Sequence, residues 1–317
     1  MRLPLIQLPL LSIYQLNNIL EIQNLSKRYP GVQALDNLNL TVEAGSTFGL
    51  LGPNGSGKTT TLGIVLDVLK ASGGSFAWFG QPVSRATKRR IGAILETPNF
   101  YAYLSATQNL KIVADIKHVS YAAIDPVLET IGLLSRRHSA FKEFSLGMKQ
   151  RLALGAALLG DPEVLVLDEP TNGLDPEGIA EVRELIRKVA DQGKTIIIAS
   201  HLLDEVQKVC THMAVLQKGK LKTSGRVDAI LNQHDQVIIN TEDLEKAFVF
   251  LQQLPQVKQI RKEKTELILS LADGFSSADV NQILFSQGIV LSQLTVRKKS
   301  LESQFLDIIR DQNTPAA

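Results

Sequence analysis

From about Asn18 to Arg226, short apolar runs alternate with segments of helical periodicity. The run "STFGLL" ends at Gly52, and "KTTTLGIVLDVLK" after it spaces Leu62, Val65, Leu66 and Leu69 as one helical stripe. "VLVLDE" is a second buried run and "KTIIIASH" a third, rich in β-branched residues. Between these two, "DPEGIAEVRELIRKVADQG" carries signals for both helix ends. Asp175 suits the N-cap, Pro176 the first helical position, and Gly193 follows the last turn. Strand–helix units joined by short connections predict a parallel sheet covered by helices, an α/β fold.

Two stretches depart from that pattern. Residues from about 100 to 159 offer no strand signal and read as a helical insertion. Beyond Arg226 the order becomes strand "QVIIN", helix "DLEKAFVFLQQL", strands "VKQIRKE" and "ELILSLA", helix "ADVNQILFSQG" and strand "IVLSQLTVRK". That β-α-β-β-α-β order predicts a small α+β, ferredoxin-like accessory domain over 227–317. A last helix, "SLESQFLDIIRD", spaces Leu301, Phe305 and Ile308 for packing on it.

Composition narrows the class only a little. The 317 residues suffice for about two domains, and 34 Lys and Arg against 32 Asp and Glu leave a net charge of +2. That balance gives no basic excess for nucleic acid, so no nucleic-acid partner is expected. A lone cysteine, Cys210, excludes an internal disulfide. No stretch of 18 or more apolar residues occurs, so no segment is expected to span a bilayer. The first 17 residues combine Arg2 with an apolar run, as a signal peptide does, yet Pro4 and Pro9 interrupt it and no small-x-small site follows. They read as an extension, with the globular domain starting at residue 18.

The candidate chemistry begins at "GPNGSGKT". Gly52, Pro53, Asn54, Gly55, Ser56, Gly57, Lys58 and Thr59, with Thr60 just beyond, fit the phosphate-loop pattern between a strand and a helix. The glycines let successive N–H groups turn inward onto phosphate oxygens, assisted by the helix N-terminus. Lys58 would reach the terminal phosphates and the Thr59 hydroxyl would bind Mg²⁺. This loop also explains two adjacent acids, Asp168 and Glu169, at the end of a buried strand. Ligands of parallel sheets lie beyond the strands' carboxyl ends, so Asp168 would face the ion. Glu169, projecting the other way, is then free to act as general base on the attacking water.

The ordered set "RYPG", "GPNGSGKTT", "LETP", "FSLGMKQRL", "VLVLDEP", "NGLD" and "IIIASH" resembles the ATP-binding cassette (ABC) ATPases over about residues 18–226. The resemblance implies a P-loop NTPase cassette that binds ATP and Mg²⁺. It also implies further roles: Tyr29 stacks on adenine, and His201 contacts the γ-phosphate and positions Glu169 and water. Ser145, Leu146, Gly147 and Met148 form the signature that faces the ATP of a second subunit, and Asp175 makes a contact across that dimer. Independently of the family, Ser145 and Asp175 suit helix N-caps. Glu96 stands where most such cassettes have glutamine, and the resemblance makes it a metal-site residue coupling to a membrane partner. The glutamate and the "SLGMKQR" form are similar to cassettes of the bacitracin and lantibiotic export type. Phe100, Tyr101 and Tyr103 suit either a surface for that partner or the core of the insertion.

The function implied is the ATPase subunit of an exporter, at the cytoplasmic face of the membrane, driving a separately encoded permease of the ABC-2 type through dimer closure. The alternative is a soluble ABC ATPase acting on nucleic acid or ribosomes. Proteins of that kind usually carry long coiled coils or two cassettes, whereas this chain has one phosphate loop and no heptad tract.

Overall fold

The computed structural model describes residues 18–95, 97–231, 236–263, 265–272 and 274–297. The closing helix expected after Arg297 lies outside the described residues, as does the first 17-residue segment. The chain divides into two compact units, Met1–Val227 and Asp228–Ala317.

The first unit opens with β1 (Asn18–Tyr29), β2 (Val32–Glu43) and β3 (Thr47–Leu51), which leads into α1 (Lys58–Val65). Next come β4 (Gly73–Trp78), α2 (Arg85–Arg89) and β5 (Ile91–Ile94). A helical stretch holds α3 (Ala106–Lys117), α4 (Ile124–Thr130) and α5 (Leu146–Leu158). β6 (Val164–Asp168), α6 (Pro176–Ala190), β7 (Thr195–Ser200), α7 (Leu203–Val209), β8 (His212–Gln217) and β9 (Lys220–Arg226) complete it, and a short α8 (Val227–Leu231) follows.

The main sheet has the order β5-β6-β7-β3-β8-β9, parallel except for the β8–β9 pair. Every residue of β3, β6 and β7 is buried, which is why these segments read as unbroken apolar runs and not as alternating ones. A second sheet, β2-β1-β4, is antiparallel and was not separated from the parallel one in the sequence. It is tied in at Trp78, fully buried, whose indole Nε1 donates to the Val65 carbonyl at 2.7 Å.

Helix α1 ends at Val65, shorter than the periodicity predicts. Asp67 adopts a left-handed φ of 59°, and the backbone N–H groups of Val68 and Leu69 both return to the Gly63 carbonyl. Leu69 therefore keeps its apolar role by folding back, not by extending the helix. Helix α6 begins and ends where its signals lie: Asp175 accepts from the Gly178 N–H at 2.9 Å, Pro176 opens it, and Gly193 has φ 82°. Helix α5 closes differently. Lys117 of α3 donates to the carbonyls of Ala156, Ala157 and Leu159 at 2.8, 3.0 and 3.0 Å, covering acceptors that the helix end leaves open. Burial pulls the Lys117 ammonium down to about 8.

The second unit holds β10 (Gln236–Thr241), α9 (Leu244–Gln252), β11 (Val257–Glu263), β12 (Glu266–Leu271), α10 (Ser277–Ser286) and β13 (Leu291–Arg297). Its sheet order is β11-β12-β10-β13, antiparallel at each pairing. Val237, Ile239, Leu267 and Leu269 from the strands pack with Ala247, Leu251, Val280 and Leu284 from the helices.

One tight junction in the first unit lies between β5 and α5. A Cβ added at Gly92 would sit 2.3 Å from the Ala157 carbonyl oxygen and 2.9 Å from its carbon. Backbone cannot step aside as a side-chain end can. Gly92→Ala is expected to lower unfolding free energy by about 1–3 kcal/mol, read as a lower urea midpoint with an unchanged m-value.

Candidate active site

Three adjacent strands of the main sheet end together. Leu50 of β3 pairs with Ala199 of β7, and Asp168 of β6 pairs with the same Ala199. The phosphate loop, the two acids and His201 therefore leave the sheet side by side at its carboxyl edge.

The loop from Gly52 to Gly57 has glycines at both ends where nothing larger fits. A Cβ at Gly52 would lie 2.3 Å from the Leu216 carbonyl oxygen, and Gly57 has φ 107° with Leu35 and the Ala34 oxygen pressed against it. Pro53, Asn54 and Gly55 are exposed at the rim, while Ser56 and Lys58 are buried. Thr59 is exposed and Thr60 half-buried, both in the first turn of α1. The Lys58 ammonium donates to the Gly52 carbonyl at 2.8 Å and lies 3.5 Å from Glu169 Oε1. A buried cation with these partners is compensated.

Glu169 stands outside β6. Its backbone turns left-handed, φ 47°, immediately after Asp168, the last strand residue. So Glu169 leaves the sheet through a turn, where strand alternation had been expected. A non-glycine residue in that region costs of order 1–3 kcal/mol and persists where its surroundings over-determine it. The constraint is visible: the Glu169 N–H donates to the Ala199 carbonyl at 2.9 Å, Oε1 faces Lys58, and Oε2 is 2.8 Å from His201 Nδ1. The Nδ1 contact orients the imidazole and leaves Nε2 as its other polar atom. Asp168 is almost fully buried, 3% exposed.

The signature residues and Asp175 come together elsewhere on the first unit. Ser145, Leu146, Gly147, Met148 and Asp175 line one pocket of about 420 Å³. Ser145 caps α5, accepting from the Met148 N–H at 3.2 Å, and the N-terminal end of this helix lies at the pocket. Leu146, at a signature position, is 47% exposed. Tyr29 is 38% exposed at the β1–β2 turn, with the Lys27 ammonium 4.9 Å from its ring centre. Glu96 lies outside the described residues. The aromatic trio divides: Phe100 stacks edge-on against Phe141 at 5.2 Å, whereas Tyr101 and Tyr103 are exposed.

One pair escaped the sequence reading. Thr171 donates to Glu205 at 2.5 Å, both buried. Its only signal was Glu205 standing one helical turn after His201.

A glycine-lined anion loop, a buried acid and a histidine-held glutamate at one sheet edge define a P-loop ATPase cassette. The comparisons narrow this further. A family described as "ABC transporter" matches residues 35–172. The uncharacterized ABC transporter ATP-binding protein YhcH of Bacillus subtilis is 38% identical, over 92% of this chain and 96% of that protein. The bacitracin transport ATP-binding protein BcrA of Bacillus licheniformis is 36% identical over 93% and 98%. Among solved structures, CbiO1 from Clostridium perfringens, part of the ABC transporter complex CbiONQ, is 27% identical with a TM-score of 0.62, covering 75% of this chain and 96% of that one. The chain belongs to the ATP-binding proteins of ABC transporters and is an ATPase.

The Glu169–His201 contact carries a direct test. His201→Ala is expected to lower kcat by about a hundredfold while ATP affinity, measured by calorimetry, changes little.

Proposed function

We propose that this chain is the ATP-hydrolysing subunit of an exporter, with Glu169 as general base and His201 as its positioning partner. The observation that carries this reading is the left-handed turn at Glu169 together with its two contacts, to Lys58 and to His201. Lys58 neutralises one carboxylate oxygen of Glu169 and donates to the Gly52 carbonyl within the loop. Incoming phosphates attract the ammonium away, which frees Oε1 to accept a proton from water. His201 keeps Oε2 engaged, so the base stays aimed as Lys58 leaves. Gly52, Pro53, Asn54, Gly55, Ser56, Gly57 and Thr60 shape and line the phosphate cradle, and Tyr29 offers a partly exposed ring for the adenine.

The oxygen donors fit Mg²⁺, a hard cation that takes few protein ligands and keeps phosphate and water in its shell. Thr59 and Asp168, with Glu96 by family resemblance, would hold it, and it would neutralise charge on the β- and γ-phosphates.

Residues 18–226 act as the catalytic domain, with about 100–159 as its helical part, and 227–317 as the accessory domain. The pocket lined by Ser145, Leu146, Gly147, Met148 and Asp175 receives the nucleotide of a second cassette, so two subunits close on two ATP molecules. No described helix is long and apolar enough to cross a membrane. Transport therefore needs a separate permease, of the ABC-2 type, with the cassette at the inner membrane face. Exposed Tyr101 and Tyr103 suit contact with it. The relatives named for bacitracin and lantibiotic transport favour a peptide antibiotic as cargo.

Glu169→Gln is expected to retain ATP binding, lose turnover and elute as an ATP-dependent dimer on size exclusion. Turnover close to wild type would remove the general base. In detergent-solubilised native membranes the same variant should co-purify with an integral permease, and recovery of ribosomal or DNA-repair proteins alone would overturn the transport reading.

A further inference from the structure

We propose that Glu205 is a positioning residue for ATP hydrolysis, acting through Thr171 to set the loop that carries Glu169 and Asp175. This rests on the assignment of Glu169 as general base. Thr171 and Glu205 are only 7% and 9% exposed, and the Thr171 hydroxyl donates to Glu205 Oε2 at 2.5 Å. The other oxygen, Oε1, is buried without a hydrogen-bond partner among the described residues. Burying a carboxyl with one oxygen unsatisfied is costly, and a pair of apolar residues would fill this space more cheaply. Stability alone gives no reason for the pair.

Its location supplies one. Thr171 lies two residues after Glu169 and four before Asp175, while Glu205 lies four residues after His201. The same two chain segments are therefore joined twice: in the open site by His201 Nδ1 and Glu169 Oε2 at 2.8 Å, and behind it by Thr171 and Glu205. One bond alone would leave the loop free to pivot; two fix its orientation.

Glu205 is also held on a firm support. It lies in the first turn of α7, which packs on β3 so closely that a Cβ at Gly49 would be 2.5 Å from Val206 Cγ1 and 3.2 Å from Cys210 Sγ. On the loop side, the Asn172 N–H returns to the Glu169 carbonyl at 3.1 Å and the Leu174 N–H to the Thr171 carbonyl at 3.2 Å. These two turns have Thr171 between them, so fixing its side chain fixes both. Upstream lies the left-handed φ of 47° at Glu169, which needs such over-determination to persist. Downstream lies Asp175, the cap of α6. Glu205 touches no reacting atom in this scheme; it aligns the base.

The test is steady-state ATPase kinetics of the full chain, with ATP affinity by calorimetry and thermal melting on the same samples. Glu205→Ala and the near-isosteric Thr171→Val should each lower kcat about tenfold, with ATP affinity and KM within about twofold of wild type. Glu205→Gln keeps an acceptor oxygen and should recover to within about threefold. The double variant should be no slower than the slower single, since both break one link. The proposal is overturned by unchanged kcat in Glu205→Ala, by losses that multiply in the double variant, or by kcat falling only in step with ATP affinity and melting temperature. Glu169→Gln assayed alongside separates the two readings. Turnover retained there removes the general base, whereas turnover lost there but kept in Glu205→Ala removes only the positioning role.

Discussion

Parallel pairing of β6, β7 and β3 is the constraint from which the site follows. Because Asp168, Ala199 and Leu50 lie across from one another, whatever follows each strand must emerge at the same edge. None of the three connections has freedom in where it starts. The chemistry then reduces to what each strand's next few residues are: glycines and a lysine after β3, a glutamate after β6, a histidine after β7. Buried on both faces, these strands cannot slip register without driving charged ends into the core.

Electrostatic balance around Glu169 is achieved by ordinary means. Each of its oxygens has one partner, and both partners are cationic or proton-donating groups from neighbouring connections. The lysine reaches Glu169 on a long stem and also donates to the Gly52 carbonyl, while the histidine follows directly on the end of β7.

Much of this was legible in the sequence, for identifiable reasons. β3, β6 and β7 announce themselves as apolar runs because both their faces are covered, and α6 because Asp175, Pro176 and Gly193 punctuate it. The phosphate loop is readable because its glycines answer a geometric need at fixed spacing. What escaped was non-local. The separate β2-β1-β4 sheet alternates buried and exposed positions along β2 where β3, β6 and β7 are buried throughout, but nothing local says which strands pair. The early end of α1 hangs on one left-handed aspartate, Asp67, inside an otherwise helical stripe. The turn at Glu169 and the buried Thr171–Glu205 bond depend on residues 32 and 34 positions apart, invisible to any window reading.

Trp78 has a use beyond packing. It is the sole tryptophan of the chain, sealed from water, and its ring nitrogen grips the last residue of the helix that starts at Lys58. Tryptophan emission of this protein, excited at wavelengths where tyrosine does not absorb, therefore originates at one known point, about 11 Å along that helix from the phosphate cradle. Any tug on the helix when nucleotide enters is reported by a native chromophore, with no dye attached and no second indole to confuse the signal.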